Sequence, residues 1–179
     1  MTPGRGLILA LAALVWSLAP LAAAAPPPLQ PDLEYSVKAN YLVRFAAFIE
    51  WPRSAFPDSQ SPVVICIAGR DPFNGALERA ARGQTAHGRA LVVRRPRTAE
   101  ATAGCHVLYV GRGGGSLAPT GHRAILLVTD AAVSSDRGMI HFVVSDDRVR
   151  FHIDLQAASR SRLSISSRLL NLALSVRGG

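Results

Sequence analysis

The stretch PVVICIAGRDPFNGAL, residues 62–77, decides the fold class of this chain. Its first half, Val63 to Ala68, is a nearly continuous apolar run rich in β-branched residues, the composition of a strand buried on both faces. Gly69-Arg70-Asp71-Pro72 breaks that run. Asp71 as a cap, with Pro72 in the first turn, predicts a helix reaching about Arg82. Strand, turn and helix in that order are the unit of an α/β sheet. Ala90 to Arg94, Cys105 to Val110 and Ala124 to Thr129 are further short apolar runs, each ended by Gly, Pro or Asp, and they extend a partly parallel sheet.

Upstream, Val37, Tyr41, Leu42, Phe45, Phe48 and Ile49 recur at steps of three and four. They give a helix over Leu33 to Glu50 with its apolar face opposite Lys38, Asn40 and Arg44, closed by Pro52 after Trp51. Downstream, Met139 to Asp154 alternates apolar and polar residues around Asp146-Asp147. This is a hairpin in which Phe142 faces Phe151 and Ile140 faces Ile153. A last helix runs from Ser166, as its cap, through Leu169, Leu170, Leu172 and Ala173. The expected fold is a single α/β domain over residues 33–179. Its mixed, mostly parallel sheet is covered by helices on both faces and ends in an antiparallel hairpin followed by a helix.

The first 24 residues read as a cleaved secretory signal peptide: Arg5, the apolar run Leu7 to Leu18, then the small residues Ala22, Ala23 and Ala24. Residues 25–32 form a proline-rich lead-in, expected as an extended tether. The full chain is 49% hydrophobic with a formal net charge of +8, which excludes a disordered or coiled-coil protein and supplies one ordinary core. Export removes nucleic acid as a partner and leaves acidic protein faces and anionic headgroups as what the positive charge meets.

Chemistry is sparse. Cys66 and Cys105 each fall in a core strand of an exported chain. The compartment favours a disulfide, which would close 38 intervening residues and stabilise by about 4 kcal/mol in the chain-entropy model; the alternative is two buried thiols. His141 and His152 fall opposite one another on the outer face of the hairpin, yet two ligands are too few for a zinc site, so no metal or cofactor is expected. Gly111-Arg112-Gly113-Gly114-Gly115-Ser116 follows a strand but lacks the ending of a phosphate loop and reads as a surface loop. It lies with Arg70 and Asp71 beyond the strand ends where open sheets hold ligands, so Arg70, Asp71 and Arg112 are the candidate ligand-loop residues. No hydrolase elbow and no paired carboxylates are present, and the expectation is a non-enzyme. The arginines at 94, 95, 97, 148, 150, 160, 162 and 168 are solvated faces or, alternatively, a docking surface for an acidic partner. The candidate partner face is His141, Arg148, Arg150 and His152.

VKANYLVRFAAFIEWP (37–52), PVVICIAGRDPFNGAL (62–77), HGRALVVRR (87–95), CHVLYV (105–110), ILLVTD (125–130), GMIHFVVSDDRVRFHIDLQAA (138–158) and ISSRLLNLA (165–173) together resemble the YfiR/HmsC-like family. That resemblance implies a periplasmic homodimer that represses a membrane-bound diguanylate cyclase of the YfiN type by engaging its periplasmic sensor region, and so lowers cyclic di-GMP and biofilm formation. It further implies release of the cyclase when the repressor is reduced or captured by an outer-membrane lipoprotein. Cys66 and Cys105 match the structural cysteine pair of the family, while the second pair that some members carry around the hairpin has no counterpart here. The alternative is a periplasmic small-molecule sensor with no cyclase contact. An enzyme would be indicated only by turnover that depends on Ser116, His141 or His152.

Overall fold

Val63–Ala68 forms the strand its composition predicts, and all six residues are buried because strands flank it on both sides and packed layers cover both of its faces. The computed structural model describes residues 30–119 and 121–178; the signal peptide expected over residues 1–24, and the lead-in as far as residue 29, lie outside them. In chain order the elements are α1 (Pro31–Phe48), β1 (Ile49–Glu50), β2 (Val63–Ala68), α2 (Ala76–Ala81), β3 (Thr85–Ala86), β4 (Arg89–Arg94), β5 (Val107–Val110), β6 (Leu126–Asp130), β7 (Ile140–Ser145), β8 (Arg148–Asp154), α3 (Leu155–Arg160), β9 (Ser164–Ile165), α4 (Ser167–Leu170) and β10 (Ser175–Arg177). Short 3-10 segments occupy Arg53–Ala55, Glu100–Gly104 and Gly115–Leu117.

Eight strands make one sheet in the order β10-β8-β7-β6-β5-β2-β4-β3, and β1 pairs with β9 beside it. Strands β4, β2, β5, β6 and β7 run parallel, so the mixed, mostly parallel sheet is present. The antiparallel hairpin of β7 and β8 has the expected register, Ile140 against Ile153 and Phe142 against Phe151. Asp146 and Asp147 both take positive φ, 52° and 54°, which matches the right-handed twist of the flanking strands.

Strand alternation sends neighbouring residues to two different cores. Val63, Ile65, Ile67, Val107, Tyr109, Leu126 and Val128 face α1, whose Leu42 and Phe45 are fully buried against them together with Ile49 of β1. Phe45 stacks on Phe142 at 5.6 Å between ring centroids and meets Phe151 edge-on at 5.1 Å, tying α1 to the hairpin. Val64, Cys66, Ala68, Cys105, Leu108, Val110 and Ile125 form a smaller cluster on the opposite face, where Leu117 of a 3-10 segment packs on them.

Four helix boundaries differ from the sequence expectation, the first being that α1 ends at Phe48 and not at Glu50, because Ile49–Glu50 pairs as a strand with β9. Helix α1 starts at Pro31, inside the expected tether, because proline's fixed φ suits the first helical position. Asp71 does not cap a helix: its carboxylate accepts the Phe73 N–H at 2.8 Å in a local turn, and α2 begins only at Ala76, after Gly75 in the left-handed region. Ser166 does cap α4, but that helix lasts one turn, and the chain then extends into β10, parallel to the end of β8. The unpaired backbone edge of β8 is what the extended chain satisfies there.

Candidate functional site

The charges are unevenly placed, and the unevenness defines two neighbourhoods. The first is buried beneath α1. Lys38 stands four residues before Leu42 and seven before Phe45, hence on the same helical face, and its side chain is completely buried rather than opposite the apolar stripe. Its ammonium donates to Asp130 at 2.6 Å and to Glu34 one turn earlier. Asp130, at the end of β6, also accepts the Tyr109 hydroxyl at 3.0 Å and the Ala132 N–H at 3.0 Å. Burial, then the Asp130 carboxylate, pushes the Tyr109 phenol far above its ordinary range, so it remains a donor. Lys38 Nζ also lies 4.8 Å from the Tyr35 ring centre. Sequence reasoning missed this node. The available signal was compositional: Lys38 is the only lysine among 20 cationic residues. A compact ammonium fits where a forked guanidinium does not.

The second neighbourhood is the open end of the opposite sheet face, built by the hairpin. His141 on β7 and His152 on β8 are register partners, as the alternation predicts. Only 4% of His141 is exposed, so it belongs to the wall and not to a solvated surface. The Gly138 N–H donates to Thr129 Oγ1 at 2.8 Å, and the same oxygen lies 2.8 Å from His141 Nδ1. His152 Nδ1 lies 2.6 Å from Ser175 Oγ of β10. A side chain at 138 would place its Cβ 2.6 Å from the Leu127 carbonyl oxygen, which is why the hairpin is entered through glycine. Burial first, and the Arg137 guanidinium next, holds both imidazoles below the ordinary histidine range. Burial pushes the Asp154 carboxyl up, but the Ala157 N–H and the Arg177 guanidinium outweigh it and hold it low.

The four residues expected as one partner face divide into two pairs. His141 and His152 line a cavity of about 100 Å³. Arg148 and Arg150 line another of about 330 Å³, whose apolar side is Val37 and Tyr41 of α1. That second cavity sits at a stretch of β8 with no strand beyond it, since β10 pairs only with His152–Asp154.

The candidate ligand loops contact each other. Arg70 N–H donates to the Arg112 carbonyl at 2.9 Å and Gly111 N–H to the Ala68 carbonyl at 2.8 Å. A Cβ on Gly114 would lie 2.3 Å from the Ala68 oxygen, so the glycines serve backbone-to-backbone packing. Asp71 pairs with Arg95, which also binds Glu78. Arg70 and Arg112 are exposed, as is Ser116, which lies apart from the histidine cavity. Cys66 and Cys105 form a disulfide with Cα atoms 5.8 Å apart, joining β2 to the segment that enters β5. Among the described residues no group of three His, Cys, Asp or Glu side chains is arranged to hold a metal ion. No helix among them is long and apolar enough to cross a membrane.

A further polar post holds the α1 exit. Trp51 Nε1 donates to the His106 carbonyl at 3.3 Å, and the His106 ring accepts the Val64 N–H at Nδ1 while Nε2 meets the Ala55 carbonyl at 3.1 Å. One ring nitrogen accepts and the other donates, which fixes a neutral tautomer; burial lowers its pKa in agreement. The Trp-Pro motif therefore anchors the helix end to β5. A comparison with family models matches residues 35–174 to YfiR/HmsC-like. The chain belongs to the YfiR/HmsC-like family. The match takes in Lys38, Tyr109 and Asp130, His141 and His152, and the disulfide, and it implies a regulatory protein of the periplasm. A comparison with curated proteins found no match.

Proposed function

We propose that this YfiR/HmsC-like protein is a periplasmic repressor that binds the periplasmic sensor region of a membrane-bound diguanylate cyclase and holds it in its inactive state. The observation that carries the reading is the family match across residues 35–174. The Cys66–Cys105 disulfide, suited to an oxidising compartment, supports it. Arg148 and Arg150, at the free edge of β8, are the proposed contacts, because a guanidinium fork recognises the carboxylates of an acidic partner face. Repression is stoichiometric: the domain binds one state of the sensor better than the other and shifts its population by that difference in affinity. The working form is a homodimer exported by the signal peptide, and an outer-membrane lipoprotein that captures it relieves repression.

Cellular cyclic di-GMP tests the reading. Deleting the gene raises it together with biofilm, and re-expression of the exported protein restores the low level. An unchanged level in the deletion strain contradicts the repressor reading.

A further inference from the structure

The histidine cavity goes beyond that reading and does not depend on it. Its walls come from three strands and one loop: His141 from β7, His152 and Asp154 from β8, Ser175 and Arg177 from β10, and Arg137 from the loop before β7. The hydrogen bonds set what these groups offer. Thr129 Oγ1 accepts the Gly138 N–H, and its own proton has no other acceptor among the described residues, so it goes to His141 Nδ1. The neutral ring then carries its proton on Nε2, which has no partner among the described residues although the side chain is almost wholly buried. Among the described residues only Glu78 Oε2 is an enclosed atom without a partner, so His141 Nε2 reaches the solvent of the cavity that His141 lines and is free to meet a ligand there.

The charges around that donor share a sign. Arg137 is exposed and has no carboxylate partner among the described residues, and its guanidinium acts on both imidazoles. Asp154 is the cavity's one acid, and its charge is met by Arg177 and by the Ala157 N–H at 2.8 Å. The space, about 100 Å³, holds a few waters at about 30 Å³ each or a single small oxyanion.

We infer that the cavity between β7, β8 and β10 binds a small oxyanion, a phosphate or a carboxylate, held by the Arg137 guanidinium, His141 Nε2–H and the His152 ring. A guanidinium beside two imidazoles provides charge-assisted donors for two or three oxygens of one group. The metal alternative fails on ligand number, since Asp154 is already engaged and two histidines do not make a site.

The test is an NMR titration of the histidine ring signals in protein recovered from the periplasm, with inorganic phosphate and, separately, acetate, at ionic strength held constant with chloride. The expected result is a saturable shift of the His141 and His152 signals with at least one of the two anions, the tighter one identifying a tetrahedral or a planar group. Arg137→Gln leaves the fold intact because the side chain is exposed and unpaired, and it weakens binding about tenfold or more, as does His152→Gln. Arg112→Gln, in the glycine loop, leaves the affinity unchanged. No saturable shift with either anion, or equal affinity in Arg137→Gln, overturns the inference.

Discussion

The two faces of the same sheet handle polar groups in opposite ways. Under α1, Lys38, Asp130 and Tyr109 are buried and paired with one another, and Glu34 joins Lys38 from the rim. On the other face the sheet is closed at one end by the Cys66–Cys105 disulfide and Leu117, and left open at the hairpin end, where Arg137, Arg148 and Arg150 have no carboxylate partners among the described residues. The first face is built for stability and a fixed helix position. The second keeps unspent donors, and unspent donors are what a partner or ligand can use.

The comparison breaks first at Lys38. Lys38→Ala leaves Asp130 buried without its cation and lowers unfolding free energy by about 3–5 kcal/mol in denaturant titration, whereas Lys38→Met with Asp130→Leu recovers much of the loss. A double variant no better than the single one would mean that the node acts through packing alone. Next in size, Cys66→Ser with Cys105→Ser costs about 2–4 kcal/mol by the same measurement and leaves the hairpin register unchanged. An unaltered midpoint would show that the second core closes without its bridge.

The third effect depends on pH. His106, His141 and His152 all have pKa values lowered from 6.5 in the folded protein, burial being the largest cause. Their stabilising contribution is fully present above the unfolded value and is lost as pH falls from about 6.5 toward the folded values, because the unfolded chain takes up protons first. Thermal melts between about pH 7.5 and about pH 5.5 should therefore show a falling Tm, and His106→Gln should flatten the slope. A Tm that rises on acidification would reverse the assignment. Smallest in stability is Arg148→Glu with Arg150→Glu, which shifts unfolding by less than about 0.5 kcal/mol yet weakens partner capture. Strong destabilisation would place these arginines in the scaffold instead.

Much of this arrangement was legible in the sequence wherever a single local pattern decides the outcome. Val63–Ala68 is too uniformly apolar to be anything but a central strand, and the alternation on either side of Asp146-Asp147 admits one register, which puts His141 opposite His152. Other features were settled by partners distant in the chain. Lys38 reads as a solvated cation until β6 delivers Asp130, 92 residues later, to the same helical face. The leucines at 169, 170 and 172 read as a helix, but β8 offers a bare edge and draws Ser175–Arg177 into the sheet. That strand supplies Ser175 and Arg177, two of the six polar side chains that wall the histidine cavity, and neither residue carried a local signal.

Repression by direct contact is open to in-cell crosslinking of the tagged, exported protein, with mass spectrometry of what is captured. The expected product is a membrane diguanylate cyclase, joined through its periplasmic region to peptides containing Arg148 or Arg150 and lost in Arg148→Glu with Arg150→Glu. Reproducible capture of the protein alone, with no cyclase peptide in the wild type, would contradict it.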